Sequence, residues 1–389
     1  MNTRTKALSL LCAGLVACGT AEGTQGTHQI SNAKPVVLQA AGGLALVSPE
    51  TGEVAKRIAG GVASPDRASF VSATSEGAES IVTRTTPAGK VVASYTVPRR
   101  LDVRVVSDDL VALTERPVPS HAHGTSPYLP EPKDRTFIVV LDADGTSREY
   151  MLGGNFEPEA FKVDNSELFM IEYIPAMAPE RYQVRRLKLG SGAVKPIGRL
   201  KQGAPGQMQG TGRTQVMSPA GDELYTLYTQ QLDAGHAGEE HAAEEHDAKA
   251  HAFVHLLNLQ GAWAHCIDLP SVFASGQATA SALAVNTAGS RVYVADWTNG
   301  AVAEVNPRRV RVVKTVNVDF GAEDDSTFAA ADANHLFVAG LQEVVVLDAE
   351  SLEEIDRWTY EEEITGLSVV DDRLFVSLGD GGLVDVREV

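Results

Sequence analysis

Cysteine is almost missing from this chain: 389 residues hold three, at Cys12, Cys18 and Cys266. That excludes a disulfide framework, and a chain of this length buries enough core without one. Helical periodicity is missing as well, since no useful length carries apolar residues at three-to-four spacing. Basic charge is scarce: 33 Lys and Arg face 51 Asp and Glu, for a formal net charge of −18. Such a surface repels phosphate backbones and anionic lipid heads, so no nucleic-acid partner is expected. Catalytic signatures are also wanting. There is no G-x-S-x-G elbow and no H-E-x-x-H pair, and the glycines at 203–212 lack the Gly-Lys-Ser/Thr of a P-loop. The expectation is a protein that is not an enzyme.

What the chain has is a repeat. An apolar strand, a turn rich in Asp, Gly or Ser and a second alternating strand recur as LALVSPETGEVAKRIA (44–59), IVTRTTPAGKVVASYTV (81–97) and FIVVLDADGTSREYML (137–152). Further copies run over 182–200, 253–269, 302–318 and 343–360, and a truncated GGLVDVREV ends the chain. Before most copies lies a weaker strand pair, as in TQVMSPAGDELYTLY (214–228) and LAVNTAGSRVYVA (283–295). The turns hold residues that tolerate special dihedrals, and the flanks hold Val, Leu, Ile, Phe and Tyr. Four strands per unit, A to D outward from an axis, describe a blade. The fold class is all-β: a β-propeller of seven or eight four-stranded blades.

The units VMSPAGDELYTLYT and VNTAGSRVYVADWTNGAVAEV resemble bacterial YVTN-type β-propeller repeats, with the Tyr-Val-Thr-Asn string altered to YVADWTN at 293–299. The resemblance spans roughly residues 35–389. It implies the fold; it does not fix one activity, because propellers host many unrelated functions.

The N-terminus reads as an export signal. Arg4 and Lys6 precede an apolar run from Ala7 to Ala17, and Leu15-Val16-Ala17-Cys18 resembles a bacterial lipobox with lipid placed on Cys18. The run is too short to span a bilayer as a stable anchor. A plain secretory signal is the competing reading. The expected domains are a lipoprotein signal peptide over 1–17, a lipidated Cys with flexible tether over 18–34, and one propeller over 35–389. A tether of this composition reaches roughly 20 Å. The globular part is thus expected outside the cytoplasmic membrane, in the periplasm or at the cell surface, bound to membrane through its N-terminal lipid only. Losing Arg4 and Lys6 takes the net charge from −18 to −20, which suits a cation or a basic partner, although acidic surfaces also serve plain solubility.

The interruptions are uneven. A–B and C–D turns are short, whereas PVPSHAHGTSPYLPEPKD (117–134), IPAMAPE (174–180) and QLDAGHAGEEHAAEEHDAKAH (231–251) fall between strands B and C of successive units. The D–A connections 201–213, 319–326 and 360–363 join them on the same expected face. Loops beyond a dozen residues are uncommon unless functional or disordered, so this face is the expected binding surface for an envelope protein or small ligand.

Within it, His236, His241, His246 and His251 recur every fifth residue among glutamates, and His121 and His123 form an H-x-H. Imidazole and carboxylate suit Zn or Cu. Five-residue spacing turns successive side chains by about 140° on a helix, so a preformed helical site is not expected. A flexible loop would bind at a cost in ordering entropy. The alternative is a solvated low-complexity insertion. His255 and Cys266 form a second candidate within a grouping that includes His251 and His265: a tight turn at Gln260-Gly261 would place them opposite each other, for a soft metal or an activated thiolate, or simply as core. Glu323-Asp324-Asp325 and Glu361-Glu362-Glu363 lack the alternate-residue spacing of a calcium loop and read as solvated charge. Trp263, Trp297 and Trp358 are expected to pack between blades, and His335 to be structural. The cofactor is unknown, with Zn or Cu the candidates. Three functions stand: a non-enzymatic binding or scaffold protein, a zinc- or copper-binding envelope protein, and an envelope oxidoreductase or hydrolase.

Overall fold

The computed structural model describes residues 35–40, 43–115, 132–199, 207–208, 211–231, 251–274, 279–321, 326–379 and 383–388. Among them the strands form eight up-and-down sheets, spanning 36–59, 62–97, 102–153, 155–196, 211–268, 281–317, 327–359 and 364–388. Innermost strands of successive sheets pack beside one another, as Ser281–Val285 does beside Thr327–Ala331 and that strand beside Ile364–Val370. The protein is an eight-bladed β-propeller. The truncated last copy is the third strand, Leu383–Glu388, of an eighth blade, which resolves the count.

Blade 7 shows why these residues make these strands. Its second strand, His335–Gly340, sends Leu336 and Val338 into the seam with blade 6, and Phe337 and Ala339 into the seam with blade 8. A strand covered on both faces has no use for polar alternation. Outer strands do alternate: in blade 6, Arg311–Asn317 switches at every residue between exposed and half-buried. The recurring C–D turn is an Asx turn. Asp348 Oδ1 accepts from the backbone N–H of Glu350 at 3.0 Å and of Ser351 at 2.6 Å, and these bonds lower its carboxyl pKa. The tryptophans pack between blades. Trp297 stacks on Phe320 at 4.7 Å between ring centroids, Trp358 stacks near Phe337 at 6.0 Å, and Trp263 lies in the seam of blades 5 and 6. His335 Nδ1 sits 3.0 Å from Asp332 Oδ2, bracing its own turn.

Three blades depart from the four-stranded expectation, and two of them, blades 1 and 8, have three strands each. The turn 48–53 of blade 1 accepts Arg373 Nη1 of blade 8 at Pro49 O, 2.8 Å, just as the C–D turn of blade 7 accepts Arg291 Nη1 of blade 6 at Ala349 O, 2.8 Å. Blade 1 therefore supplies strands B, C and D, and blade 8 supplies A, B and C. Among the described residues no strand crosses this last seam. It closes by packing of Val36, Leu38, Ala45 and Val47 against Phe375 and Val384. Gly52, at φ +71°, lies so near the Val384 carbonyl that a Cβ there would stand 2.0 Å from its oxygen.

A second departure concerns 182–200, expected as one hairpin of blade 4. Its outer strand ends at Pro196, and Gly198 and Arg199 instead pair in parallel with Trp263 and Ala264, adding a fifth strand to blade 5. Proline has no N–H to extend the ladder, so the chain leaves the sheet there.

Candidate ligand-binding face

Strand direction fixes which loops share a face. The B–C connections of blades 3, 4 and 5 leave and re-enter at Thr114 and Arg135, Ile174 and Arg181, and Gln231 and His251, all at the end opposite the short A–B and C–D turns. The blade 4 turn is closed by Glu180 N–H on Ile174 O at 3.0 Å, and Met177 stands 59% exposed at its tip. Lys133, near the end of the blade 3 insertion, donates its N–H to Ala176 O at 3.2 Å, so the 117–134 insertion ends against the blade 4 turn.

His121, His123, His236, His241 and His246 lie outside the described residues, as do Glu323, Asp324 and Asp325. His251 begins a strand and pairs with Gln231, its side chain outside the description. Glu361, Glu362 and Glu363 are exposed, and two of them serve structure through their backbones: Glu361 O accepts from Gln342 Nε2 and Glu363 O from Gly379 N–H. Among the described residues no three His, Cys, Asp or Glu side chains are grouped to hold a metal ion.

His255 and Cys266 do pair directly across the sheet, in the register expected of the tight turn. Both point into the seam of blades 4 and 5, where His255, 5% exposed, meets the Tyr228 ring edge-on with centroids 6.3 Å apart. His265 pairs with Leu256 and points the other way, so the wider grouping is split. Burial, helped by Asp268, pushes the Cys266 thiol pKa far above its ordinary value, the reverse of what a nucleophile requires. Iodoacetamide at pH 8 should therefore leave Cys266 largely unmodified in native protein and modify it promptly in denaturant, read at that peptide by mass spectrometry. Fast native labelling would contradict the packing described.

Sequence reasoning missed a polar cluster on the innermost strands. Arg104 of blade 3 donates to Glu157 of blade 4, whose other oxygen accepts from Tyr173 Oη at 2.6 Å. At the next seam Gln215 Nε2 of blade 5 reaches Glu159 Oε2 at 2.6 Å and Thr226 Oγ1 at 3.2 Å. Asp102, at the start of the blade 3 inner strand, has its carboxyl pKa raised by burial, with Arg104 opposing. Blades 6 and 7 carry Ser281, Ala282 and Ala284, and Thr327 and Ala330, at comparable places. The inner strands thus carry charged or amide groups in blades 3 to 5 and small uncharged residues in blades 6 and 7. The signal was present in DVRVV (102–106) and NFEPEAF (155–161), where charge sits inside inner strands.

No protein-family model and no curated protein matches the chain. Among solved structures it is similar to BamB from Moraxella catarrhalis, at 16% identity over 91% of this chain and 96% of that one, TM-score 0.48. It is also similar to apo AztD from Citrobacter koseri, at 11% identity over 86% and 97%, TM-score 0.42. Sqt1 of Saccharomyces cerevisiae matches at 10% identity over 86% and 85%, TM-score 0.47. Such values say nothing of what this chain binds.

Proposed function

We propose that this protein is an exported, lipid-anchored β-propeller of the YVTN type that acts without catalysis, binding an envelope protein or small ligand through its long-loop face. The observation that carries this reading is that three insertions, from blades 3, 4 and 5, spring from one face, those of blades 3 and 4 being bonded to each other through Lys133 N–H and Ala176 O. A rigid scaffold presenting clustered loops is how binding surfaces are commonly built. Cys18 supports the anchoring, because it ends the lipobox-like string Leu15-Val16-Ala17-Cys18.

Blade 4 offers an internal control. Met177 is 59% exposed at its long-loop end and Val163 is 53% exposed at its short-turn end. A photo-crosslinking residue at 177 should capture a partner or ligand in cells, and one at 163 should not. Adducts mainly from 163 would reverse the assignment of the face.

A second reading follows from the same strand ends. The insertions holding His121 and His123, and His236, His241, His246 and His251, spring from blades 3 and 5, on either side of the blade 4 turn. That arrangement favours zinc or copper capture. Isothermal titration with Zn should lose stoichiometry when 232–250 is replaced by a short Gly-Ser turn, which leaves residues to close the Gln231–His251 pair. Equal stoichiometry in both proteins would end the metal role for that loop.

A further inference from the structure

We propose that the outer strand of blade 2, Val91–Val97, is the contact through which two copies of this chain pair edge to edge as a dimer. The contact lies on the rim of the propeller and is separate from the long-loop face.

Every blade ends outward in a strand with an unpaired side, and such edges invite pairing unless charge or proline guards them. Seven of the eight are guarded. The outer strands VAKRIA, SREYMLG, AVKP, WAHCID, RVVKTVN, EIDRWT and LVDVRE each hold at least one charged residue. WAHCID is also partly covered by Gly198–Arg199. Blade 2 ends in VVASYTV, with no charge and no proline.

This edge is a formed template. Val, Tyr and Thr favour the extended backbone, and no further strand among the described residues pairs with the outer side. A bulge at Val92 bends only the end beside the turn 86–90, while Ala93–Val97 pairs one to one with Ser80–Arg84. Tyr95 pins the strand to blade 3, its hydroxyl donating to Ala143 O at 2.5 Å. Val91 and Val92 stand 56% and 57% exposed, and nowhere else among the described residues are two large exposed apolar side chains consecutive.

The occupant that suits this edge is the same edge of a second copy. Antiparallel pairing about a two-fold at Tyr95 sets Ser94 opposite Thr96 and Ala93 opposite Val97, with no like charges facing. The two ends of the strand are complementary as well. Lys90 is exposed at the start. At the finish Arg99 bridges to Glu115, and Arg100 donates to Gly77 O between Glu76 and Glu79, so three carboxylates meet two guanidiniums. The two-fold brings each Lys90 to the acidic end of the other copy. Each chain has one unguarded edge, so association stops at two. The shared ladder is short beside a standard interface, and the dimer is therefore reversible.

Sedimentation velocity of the full chain tests this. The wild type should shift from monomer to dimer as concentration rises. Ser94→Lys with Thr96→Lys sets lysines against lysines across the two-fold, and Ser94→Glu with Thr96→Glu does the same with glutamates; both positions are exposed. Each variant alone should stay monomeric, at half the sedimenting mass of the wild type at the same concentration. An equal mixture of the two should restore the dimer. A wild type that is monomeric at its highest soluble concentration overturns the proposal, as does a dimer that survives either pair of substitutions. So does a mixture that stays monomeric although both variants melt like the wild type. Hydrogen exchange on the wild type needs no substitution: protection of 91–97 should rise with protein concentration. Exchange there that is independent of concentration would give the edge to another occupant, or to none, and overturn the second copy.

Discussion

Glu157→Ala lowers the unfolding free energy by about 3–5 kcal/mol, the cost of stranding one member of a buried ion pair. Glu157 is 2% exposed, and the Arg104 side chain that it binds retains 13% of its exposure. Arg104 Nε already has no partner, so the guanidinium depends on this carboxylate. Removing it also takes away the acceptor that Glu157 offers the Tyr173 hydroxyl. Glu157→Gln keeps an acceptor for Tyr173 and should cost less. Replacing Arg104 and Glu157 together with methionine should restore much of the loss, since the pair's net worth is small once both desolvation costs disappear. Urea titration of the four proteins checks this ordering. A loss under about 1 kcal/mol for Glu157→Ala would mean the pair is as wet as a surface bridge.

Phe375→Ala should cost a similar amount, about 3–5 kcal/mol, with a different spatial result. Phe375 is 1% exposed and lies where blade 8 meets blade 1. No strand is shared there among the described residues, so side-chain packing carries the closure. Phe337→Ala is the matched control: it is also 1% exposed, but lies in the seam of blades 7 and 8. Both variants should melt earlier by comparable amounts. Only Phe375→Ala should raise native-state hydrogen exchange selectively in 36–47 and 373–388, because the ring opens at that seam before it unfolds. Uniform exchange in both variants would show that the seam has no separate opening.

The blade repeat was legible because strand periodicity and turn chemistry are local. VVVLDAESLEEIDRW announces two strands and an Asx turn without help from the rest of the chain. The register of His255 and Cys266 was legible for the same reason, since a short turn sets it. Blade count was not, because whether GGLVDVREV closes an existing blade or starts one depends on contacts with residues over three hundred positions away, such as Arg373 with Pro49. The Arg104–Glu157 pair was likewise hidden. Each charge alone reads as an exposed residue, and only the meeting of two inner strands shows that they satisfy each other. The departure of Gly198 for blade 5 had a local cue in Pro196, but its destination had none.

The way the ring shuts bears on how such a chain can change length over generations. A propeller that borrows one strand from its opposite terminus is locked to its repeat number, since the borrowed strand must match a particular blade. Here the two ends meet as three-stranded sheets held by Val36, Leu38, Val47, Phe375 and Val384. Duplication or loss of one whole interior unit would present the same two surfaces to each other at a slightly altered angle, which an apolar contact tolerates better than a hydrogen-bond ladder does.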